Sequence, residues 1–264
     1  MAQIKLKNVS TAELKDFFKK SDIGSPQKFE ILNGILFSKA YPKSKAFIKS
    51  EYFDLKPFAD LKQIQERIKL PLISTKKMIS ALNLFKDNVD VEFSVSNSII
   101  EKTKISSGDS SITVASGDLG LVLPPLPEDV WDKMVNVDES LIDFTMTSDD
   151  ISKMYKMNVI ETETTSANVS RIGGIKVETS GILFSNPDSG ADSDEKWSHK
   201  ITNVVKTHQI SHQLMFNLRS LNLYSSEESK AYIKQAPTNP DLLMLILIGK
   251  NTEMVIVLNK NDQK

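Results

Sequence analysis

Cysteine is absent from this chain of 264 residues. Its absence excludes disulfide scaffolds, thiol nucleophiles and cysteine-bound zinc, and it suits a reducing compartment. Long apolar runs are also lacking, and the longest, 242–248, has the length of a buried strand rather than of a membrane span. The first residues, MAQIKLKNVS, lack the apolar core of a signal peptide. The sequence therefore predicts a globular protein with no membrane partner.

Motifs for catalysis and metal binding are equally scarce. The chain has neither a glycine-rich phosphate loop nor a Gly-x-Ser-x-Gly elbow. His208 and His212 are four residues apart, but the glutamate of a metalloprotease helix is missing between them. The acidic stretch 186–196 lacks the spacing and the central glycine of an EF-hand loop. We predict no enzyme, no cofactor and no metal site, with an active site formed by distant residues as an alternative.

Three pairs of similar segments occur in the same order in the two halves of the chain. They are the helix starts at 10–20 and 147–160, the pentapeptide GILFS at 34–38 and 181–185, and the tetrapeptides LNLF at 82–85 and LNLY at 221–224. Each helix start is a capping box, looser in the second half, followed by an apolar stripe. Three matches in register indicate a tandem duplication. Two units are too few for a solenoid, so we expect each half to have its own core.

Each half is predicted to contain many antiparallel strands and two short helices, which is an α+β fold. The domains are predicted at 1–118 and 135–264. The segment between them, 119–134, contains three prolines and is predicted to be an extended, fairly stiff linker. A further amphipathic helix is predicted at 55–69, without a counterpart in the second half, and a polar hairpin tip at 186–196.

The net charge of −1 conceals opposite balances in the two halves. Residues 1–125 carry 19 Lys and Arg against 14 Asp and Glu, a net +5, and residues 126–264 carry 14 against 20, a net −6. The difference fits either two unrelated surfaces or a head-to-tail contact between copies. A contact of the second kind closes into a ring when its rotation permits.

Basic residues lie on the four predicted helices, and on both copies of the first helix they lie opposite the apolar stripe. They are Lys15, Lys19, Lys20, Lys76, Lys77, Lys153, Lys156 and Arg219. Basic side chains on an exposed helix face are commonly no more than solvated. If the four helices share one side of the sheets, however, they form a basic surface that holds a phosphate backbone without reading its sequence.

Taken together, these features resemble a DNA sliding clamp, and are most similar to the two-domain clamps of T-even-type bacteriophages. The resemblance rests on the duplicated helix starts, the GILFS hairpins, the LNLF and LNLY helices, the proline-containing linker and the final strand, 254–258. It implies the DNA clamp fold, with two tandem domains per subunit and three subunits in a closed ring. Helices would line the hole of the ring and sheets would form its wall.

The resemblance also implies a function, partners and a location. The ring encircles duplex DNA, slides without sequence specificity and tethers a DNA polymerase for processive synthesis. An ATP-dependent clamp loader is a further expected partner. The implied location is the cytoplasm of the infected bacterial host. The main alternative is a β-rich structural protein of a phage virion, such as a tail or baseplate component, with a duplicated domain. That alternative does not explain lysines on duplicated helices.

Two protein-binding sites follow from the resemblance. A pocket for a partner peptide is expected from Tyr41, Pro42, Leu121, Val122, Leu123, Pro124 and Val257. Subunits are expected to join through strand 110–115 and strand 197–205, with Ile112, Val114, Trp197 and Ile201 packing across the contact. In each case the alternative is structural: the pocket residues seal the domain junction, or each strand ends its own sheet against solvent.

Overall fold

The chain forms two compact units. The computed structural model describes residues 2–42, 44, 46–59, 66–122, 126–164, 172–186, 197–224 and 226–260, apart from the side chains of 158–164, 219 and 222. Unit 1 comprises Met1–Lys43 and Lys49–Leu126, and unit 2 comprises Ser44–Ile48 and Pro127–Lys264. The domain limits predicted at 118 and 135 stay predictions, because compactness alone does not define what folds independently.

The order of strands and helices is the same in both halves, except that the second half has one additional strand, β13. The first half contains β1 (Ala2–Val9), α1 (Thr11–Ser21), β2 (Gln27–Leu32), β3 (Ile35–Ala40), β4 (Phe47–Asp54), β5 (Ile68–Leu72), α2 (Thr75–Leu82), β6 (Val89–Ser96), β7 (Ile99–Ser107) and β8 (Ser110–Ala115). After α3 (Glu128–Val135), the second half contains β9 (Ile142–Thr147), α4 (Ser148–Thr164), β10 (Ile172–Glu178), β11 (Gly181–Ser185), β12 (Ser198–Ile201), β13 (Val204–Lys206), β14 (Leu214–Asn217), α5 (Leu218–Asn222), β15 (Glu228–Ala236), β16 (Asn239–Ile248) and β17 (Thr252–Lys260). Within the described residues, no helix has the length and apolar character that crossing a membrane requires.

Each unit is built from two antiparallel sheets of corresponding strand order. In unit 1 the orders are β8-β7-β6-β1 and β5-β2-β3-β4, and one parallel pair, Lys69 with Ile99, links β5 to β7. In unit 2 the orders are β17-β16-β15-β9 and β14-β10-β11-β12, linked through β14 and β17. β13 adds a strand beside β9. The predicted α+β fold of two tandem domains is therefore confirmed.

The apolar stripe of α1 fixes which face of this helix meets solvent. The helix begins at Ser10, whose hydroxyl accepts a hydrogen bond from the N–H of Glu13 at 3.3 Å. Phe17 and Phe18 are buried, and their ring centroids lie 5.8 and 5.3 Å from that of Phe29 on β2. Burying one such side chain stabilises the fold by about 1.5–3 kcal/mol. The opposite face, which carries the lysines, is thereby turned outward.

α4 starts in the same way as α1, with a tighter cap. The side chain of Asp150 accepts the N–H of Thr147 at 2.8 Å, and the hydroxyl of Thr147 accepts the N–H of Asp150 at 3.1 Å. This reciprocal pair satisfies two of the N–H groups that a helix start leaves without partners. Ile151 and Met154 are buried, as Leu14 and its neighbours are in α1. The predicted helix start at Thr147 is confirmed.

The identical pentapeptides at 34–38 and 181–185 lie on corresponding strands but bury opposite faces. In unit 1 the fully buried member is Leu36, which belongs to the apolar core. In unit 2 the fully buried members are Ile182 and Phe184, which occupy the first and third apolar positions of the motif. Because side chains alternate along a strand, this difference amounts to a shift by one residue. The sequence match is therefore not a residue-by-residue structural match.

The turns before these pentapeptides also differ. Asn33-Gly34 forms a two-residue hairpin turn with φ of 52° and 79°, as the dipeptide predicts. In the second hairpin Glu178 pairs with Gly181, so the turn residues are 179 and 180. The predicted turn at Ser180-Gly181 was wrong by one residue, because Gly181 is already paired as the first residue of its strand.

The amphipathic helix predicted at 55–69 was wrong. Lys56–Phe58 is a single 3₁₀ turn, Ala59 has extended dihedrals, and Ile68 begins β5. Ile68, Leu70 and Leu72 are buried at the two-residue spacing of a strand, and pairing with β2 prevails over the helical spacing. Residues 60–65 lie outside the described part of the chain, as do 187–196 of the predicted polar hairpin tip.

The predicted extended linker, 119–134, is partly helical. A 3₁₀ turn spans Leu119–Leu121, and α3 occupies Glu128–Val135. Proline suits the residues just before and at a helix start, because the N–H that it lacks has no helical acceptor there. Pro127 thus precedes a helix rather than prolonging an extended segment. The extended prediction was wrong for 128–134, and 123–125 lie outside the described residues.

Candidate nucleic-acid surface and assembly edges

The helices of unit 1 carry a group of outward-facing lysines. Its members are Lys15, Lys19 and Lys20 on α1 and Lys76 and Lys77 on α2. The two helices pack against each other, so the five side chains belong to one helical layer. α2 starts at Ser74, whose hydroxyl accepts the N–H of Lys76 at 3.2 Å, and no acidic residue lies within it. This layer is therefore clearly basic.

The corresponding helices of unit 2 are less basic where the structure describes them. Lys153 and Lys156 are exposed on α4. The same stretch, 148–157, also contains Asp149 and Asp150, so its charges sum to zero. Arg219 lies on α5, but its side chain falls outside the described residues. The predicted DNA-facing residues thus form a stronger positive surface in unit 1 than in the described part of unit 2.

Two of the predicted DNA-facing lysines are paired within their own helices. Lys20 Nζ lies 2.7 Å from Asp16 Oδ2, and Lys153 Nζ lies 2.7 Å from Asp149 Oδ2. Both pairs have the acid one turn before the lysine, which is the favourable orientation. The hydrogen bond and charge of Asp149 raise the pKa of the Lys153 ammonium. Among the described residues, the helix lysines without an ion pair are Lys15, Lys19, Lys76, Lys77 and Lys156.

A polar contact ties the start of α4 to strand β12. His199 Nε2 on β12 lies 2.8 Å from Asp150 Oδ1. Burial disfavours the charged form of Asp150, but the hydrogen bonds from Thr147 and His199 outweigh it and lower the pKa of this carboxyl. This contact therefore anchors the start of α4, the helix that carries Lys153 and Lys156, to the edge strand β12.

β8 is an edge strand beside an open groove. Among the described residues it pairs with β7 alone. The groove between α2 and β8, which we call the α2–β8 groove, has a volume of about 600 Å³. Ile112 and Val114 line it from the strand, Leu84, Lys76 and Lys77 from the helix side, and Leu84 is 67% exposed. Unpaired main-chain groups beside an exposed apolar side chain are typical of a protein-binding edge.

β12 is the candidate edge of unit 2, and within the described residues it pairs with β11 alone. Trp197 and Ile201, which were predicted to pack across a subunit contact, are 6% and 5% exposed within their own unit. Ser198 and Lys200 are the exposed side chains of this strand. A contact at this edge accordingly depends on main-chain groups and on these two residues rather than on Trp197 and Ile201.

The residues predicted for the partner-peptide pocket are divided between the two units. Tyr41, Pro42, Leu121 and Val122 belong to unit 1 and Val257 to unit 2, while Leu123 and Pro124 lie outside the described residues. Leu121 is 66% exposed, and the other four described residues are half-buried. Leu121 is thus an apolar side chain that a bound partner would cover. The pocket itself stays a prediction.

α3 covers one face of a sheet in unit 2, and sequence reasoning missed it. Trp131 is 1% exposed and packs with Met244 and Val255, while its indole Nε1 donates to Glu253 Oε2 at 3.2 Å. The apolar residues at 130, 131, 134 and 135 have helical spacing. That spacing could have indicated the helix, but the preceding prolines favoured the prediction of an extended segment.

The two histidines considered as metal ligands lie apart from any helix, and the acidic residues considered, 188–195, lie outside the described part of the chain. His208 is exposed, His212 is half-buried, and both lie in a non-helical segment between β13 and β14. Two side chains four residues apart share a face in a helix but not in this segment. Within the described residues, no group of three or more acidic or histidine side chains has a geometry that could hold a metal ion.

The architecture of paired tandem domains is the fold of the sliding clamps of the PCNA type. A structure of the C-terminal region of FEN-1 bound to A. fulgidus PCNA matches with a TM-score of 0.63 and 11% identity, over 100% of both chains. Proliferating cellular nuclear antigen from Entamoeba histolytica matches with a TM-score of 0.61 and 12% identity, over 98% of each chain. No family model and no curated protein matches the sequence. The structural similarity establishes the fold, and at identity this low it establishes the fold alone. The predicted clamp fold is therefore confirmed.

Proposed function

We propose that the chain is the subunit of a DNA sliding clamp, whose ring encircles duplex DNA and tethers a replicative polymerase. The observation that carries the proposal is the clamp fold with a basic helical layer on it. The function is topological and scaffolding rather than catalytic. Tethering works through effective concentration, because a polymerase that lets go is recaptured before it diffuses away.

The internal repeat supports head-to-tail assembly. In unit 2 the N–H of Val257 on β17 donates to the carbonyl of Ala46, one residue before β4, at 3.2 Å. β8 is the counterpart of β17, and β12 is the counterpart of β4. The same pairing between copies would join β8 of one subunit to β12 of the next. Such a heterologous contact closes into a ring if the rotation permits, and three copies supply six similar units.

Charge and shape favour the same contact. The half of the chain that contains β8 is net positive and the half that contains β12 is net negative, which orients approaching copies. Lys76 and Lys77 border the α2–β8 groove, and Leu84 offers it an apolar contact. We therefore propose that a second copy fills this groove, with Ile112 and Val114 at the contact.

The DNA-facing surface is proposed to be the helix layer with Lys15, Lys19, Lys20, Lys76, Lys77, Lys153, Lys156 and Arg219. Exposed ammonium groups on flexible stems attract phosphates without fixing a register, which suits sliding. We propose that most of this attraction comes from α1 and α2, because α2 has no acidic residue and the described part of α4 has no net charge.

Partner proteins are proposed to bind near Leu121. A polymerase or an ATP-dependent clamp loader would anchor a short peptide on Leu121, Val122 and their predicted neighbours. The T-even-type bacteriophage origin, and with it the cytoplasm of an infected bacterium, belong to the same proposal and rest on the sequence resemblance. A virion structural protein is disfavoured, because neither the clamp fold nor the helix lysines are then accounted for.

Matched lysine variants test the DNA-facing surface. Lys76→Gln with Lys77→Gln removes two charges from α2, and Lys102→Gln with Lys104→Gln removes two exposed charges from β7, on the sheet face opposite the helices. Binding to a labelled duplex is measured by fluorescence anisotropy over a salt series. The log–log salt slope should fall by about 0.9 for each phosphate that the α2 variant no longer neutralises, and should not change in the β7 variant. Equal weakening of both variants would contradict the proposal.

A further inference from the structure

We propose that Asp16 and Asp149 limit how strongly the clamp holds DNA, each by occupying a helix lysine that would otherwise contact phosphate. The inference rests on the proposed function and adds a role for two carboxylates on the DNA-facing helices. Without such a limit, a ring with many basic contacts would adhere to DNA rather than slide along it.

The geometry of the two ion pairs is the same on counterpart helices. The Nζ–Oδ2 distance is 2.7 Å for Lys20–Asp16 on α1 and 2.7 Å for Lys153–Asp149 on α4. The side chains of Asp16 and Asp149 are 56% and 71% exposed, so neither carboxylate contributes to the core. Both lie on the solvent side of their helices, beside the lysines proposed to meet DNA.

The two pairs are not copies of one ancestral pair. Leu14 corresponds to Ile151, an offset of 137 residues, which places Asp16 opposite Lys153 rather than opposite an acid. The two helices therefore contain the same type of ion pair at positions that do not correspond in the repeat. α2, in contrast, contains no acid at all. A looser pair of the same spacing, Lys133 with Asp129 at 3.9 Å, occurs on α3, so the proposed role rests on where the pairs of α1 and α4 lie, beside the lysines proposed to meet DNA.

The effect on DNA binding follows from competition for the ammonium group. A phosphate must displace the carboxylate from Lys20 or Lys153, and the displaced carboxylate stays close enough to repel it. Exposed ion pairs are weak, so the lysines remain available, but at reduced strength. Since the salt-dependent attraction grows with the number of phosphates neutralised, each carboxylate lowers both affinity and its salt dependence.

The test replaces each carboxylate by an amide and compares it with a matched surface change. Asp16→Asn and Asp149→Asn are the test variants, and Asp109→Asn and Asp241→Asn are controls with the same charge change at exposed positions away from the helices. Duplex binding is measured by anisotropy over a salt series. Each test variant should bind more tightly than the parent protein, and this advantage should shrink about threefold per released lysine between 50 and 200 mM salt. The controls should match the parent protein.

A second set of variants separates this inference from net charge and from the proposed function. Lys20→Gln should abolish the gain from Asp16→Asn, and Lys153→Gln should abolish the gain from Asp149→Asn. A gain that persists without the lysine, or that appears equally in the controls, overturns the inference and leaves the proposed function intact. If Lys76→Gln with Lys77→Gln also leaves binding unchanged, the proposed DNA-facing surface fails as well.

Discussion

At the scale of single residues, Asp150 decides how α4 begins. Its carboxylate accepts the N–H of Thr147 at 2.8 Å and lies 2.8 Å from His199 Nε2. These hydrogen bonds outweigh burial and lower the pKa of the carboxyl relative to its ordinary value. A carboxyl whose pKa is lower in the folded state stabilises the fold above its unfolded pKa, and this contribution is lost as pH falls through the folded value.

Replacing Asp150 by asparagine therefore gives a pH-dependent loss of stability. For Asp150→Asn we expect the free energy of unfolding at pH 7 to fall by about 1 kcal/mol, the usual size of a lost helix cap. The loss should shrink once the pH drops below about 4, as the parent carboxyl becomes protonated. Urea denaturation at a series of pH values measures the free energy of unfolding of both proteins. Asp138→Asn, an exposed control in unit 2, should change stability by less than about 0.5 kcal/mol.

A loss for Asp150→Asn that is equally large at pH 3 and pH 7 would show that the charge of Asp150 is not what stabilises the helix start.

At the scale of elements, the sequence correctly predicted the helices and strands whose apolar residues have a spacing with only one interpretation. α1 and α4 each combine a cap with an apolar stripe of helical spacing, and both were located correctly. The stretch 55–69 fits helical spacing at its start but strand spacing from Ile68, and strand pairing prevailed. α3 was missed because prolines precede it, although its Trp131 is almost fully buried.

Site residues were harder to assign than elements. Lysines opposite an apolar stripe are outward-facing by geometry, so Lys15, Lys19 and Lys76 could be predicted to lie on the surface. Alternation along a strand, however, does not distinguish a core-facing residue from one that meets another subunit. Trp197 and Ile201 satisfy both descriptions in the sequence, and the structure places them in the core of unit 2. Partner contacts that arise only on assembly have no local signature.

Two exposed leucines mark two different proposed contacts of unit 1. Leu84 lines the α2–β8 groove and is 67% exposed, and Leu121 lies near the proposed partner site and is 66% exposed. Because their exposure is nearly equal, the same substitution at the two positions has a similar cost for the isolated subunit. What differs is the proposed partner, which is a second copy for Leu84 and a peptide for Leu121.

Glutamate substitutions at these positions should therefore separate assembly from partner binding. Leu84→Glu should convert a species near three times the 29.5 kDa chain mass into single chains, because a charge enters an apolar contact. Leu121→Glu should keep the assembled mass but weaken polymerase or loader binding. Sedimentation over a concentration series and partner pull-down provide the two measurements. A parent protein that stays monomeric at high concentration, or a Leu121→Glu variant that loses assembly, would contradict this assignment.

At the scale of the whole molecule, the proposed function depends on repetition rather than on a catalytic centre. In the proposed assembly, β8 of one copy pairs with β12 of the next, by analogy with the hydrogen bond between Val257 of β17 and Ala46 within unit 2. The charge difference between the halves of the chain, +5 and −6, would orient the proposed contact. In a closed ring, weak attraction between the helix lysines and phosphates is sufficient, because the ring itself prevents the DNA from leaving.

Topological retention of DNA is the most direct test of the proposed clamp function. The chain has no cysteine, so Thr113→Cys on β8 and Ser198→Cys on β12 provide the sole reactive thiols for a bismaleimide crosslinker. Subunits are equilibrated with nicked circular DNA, crosslinked and treated with SDS. We predict covalent rings that stay on the circle in SDS and are released when a single cut linearises it. Covalent closed rings that SDS removes from circular DNA, or no crosslink between β8 and β12 at all, would contradict the central claim.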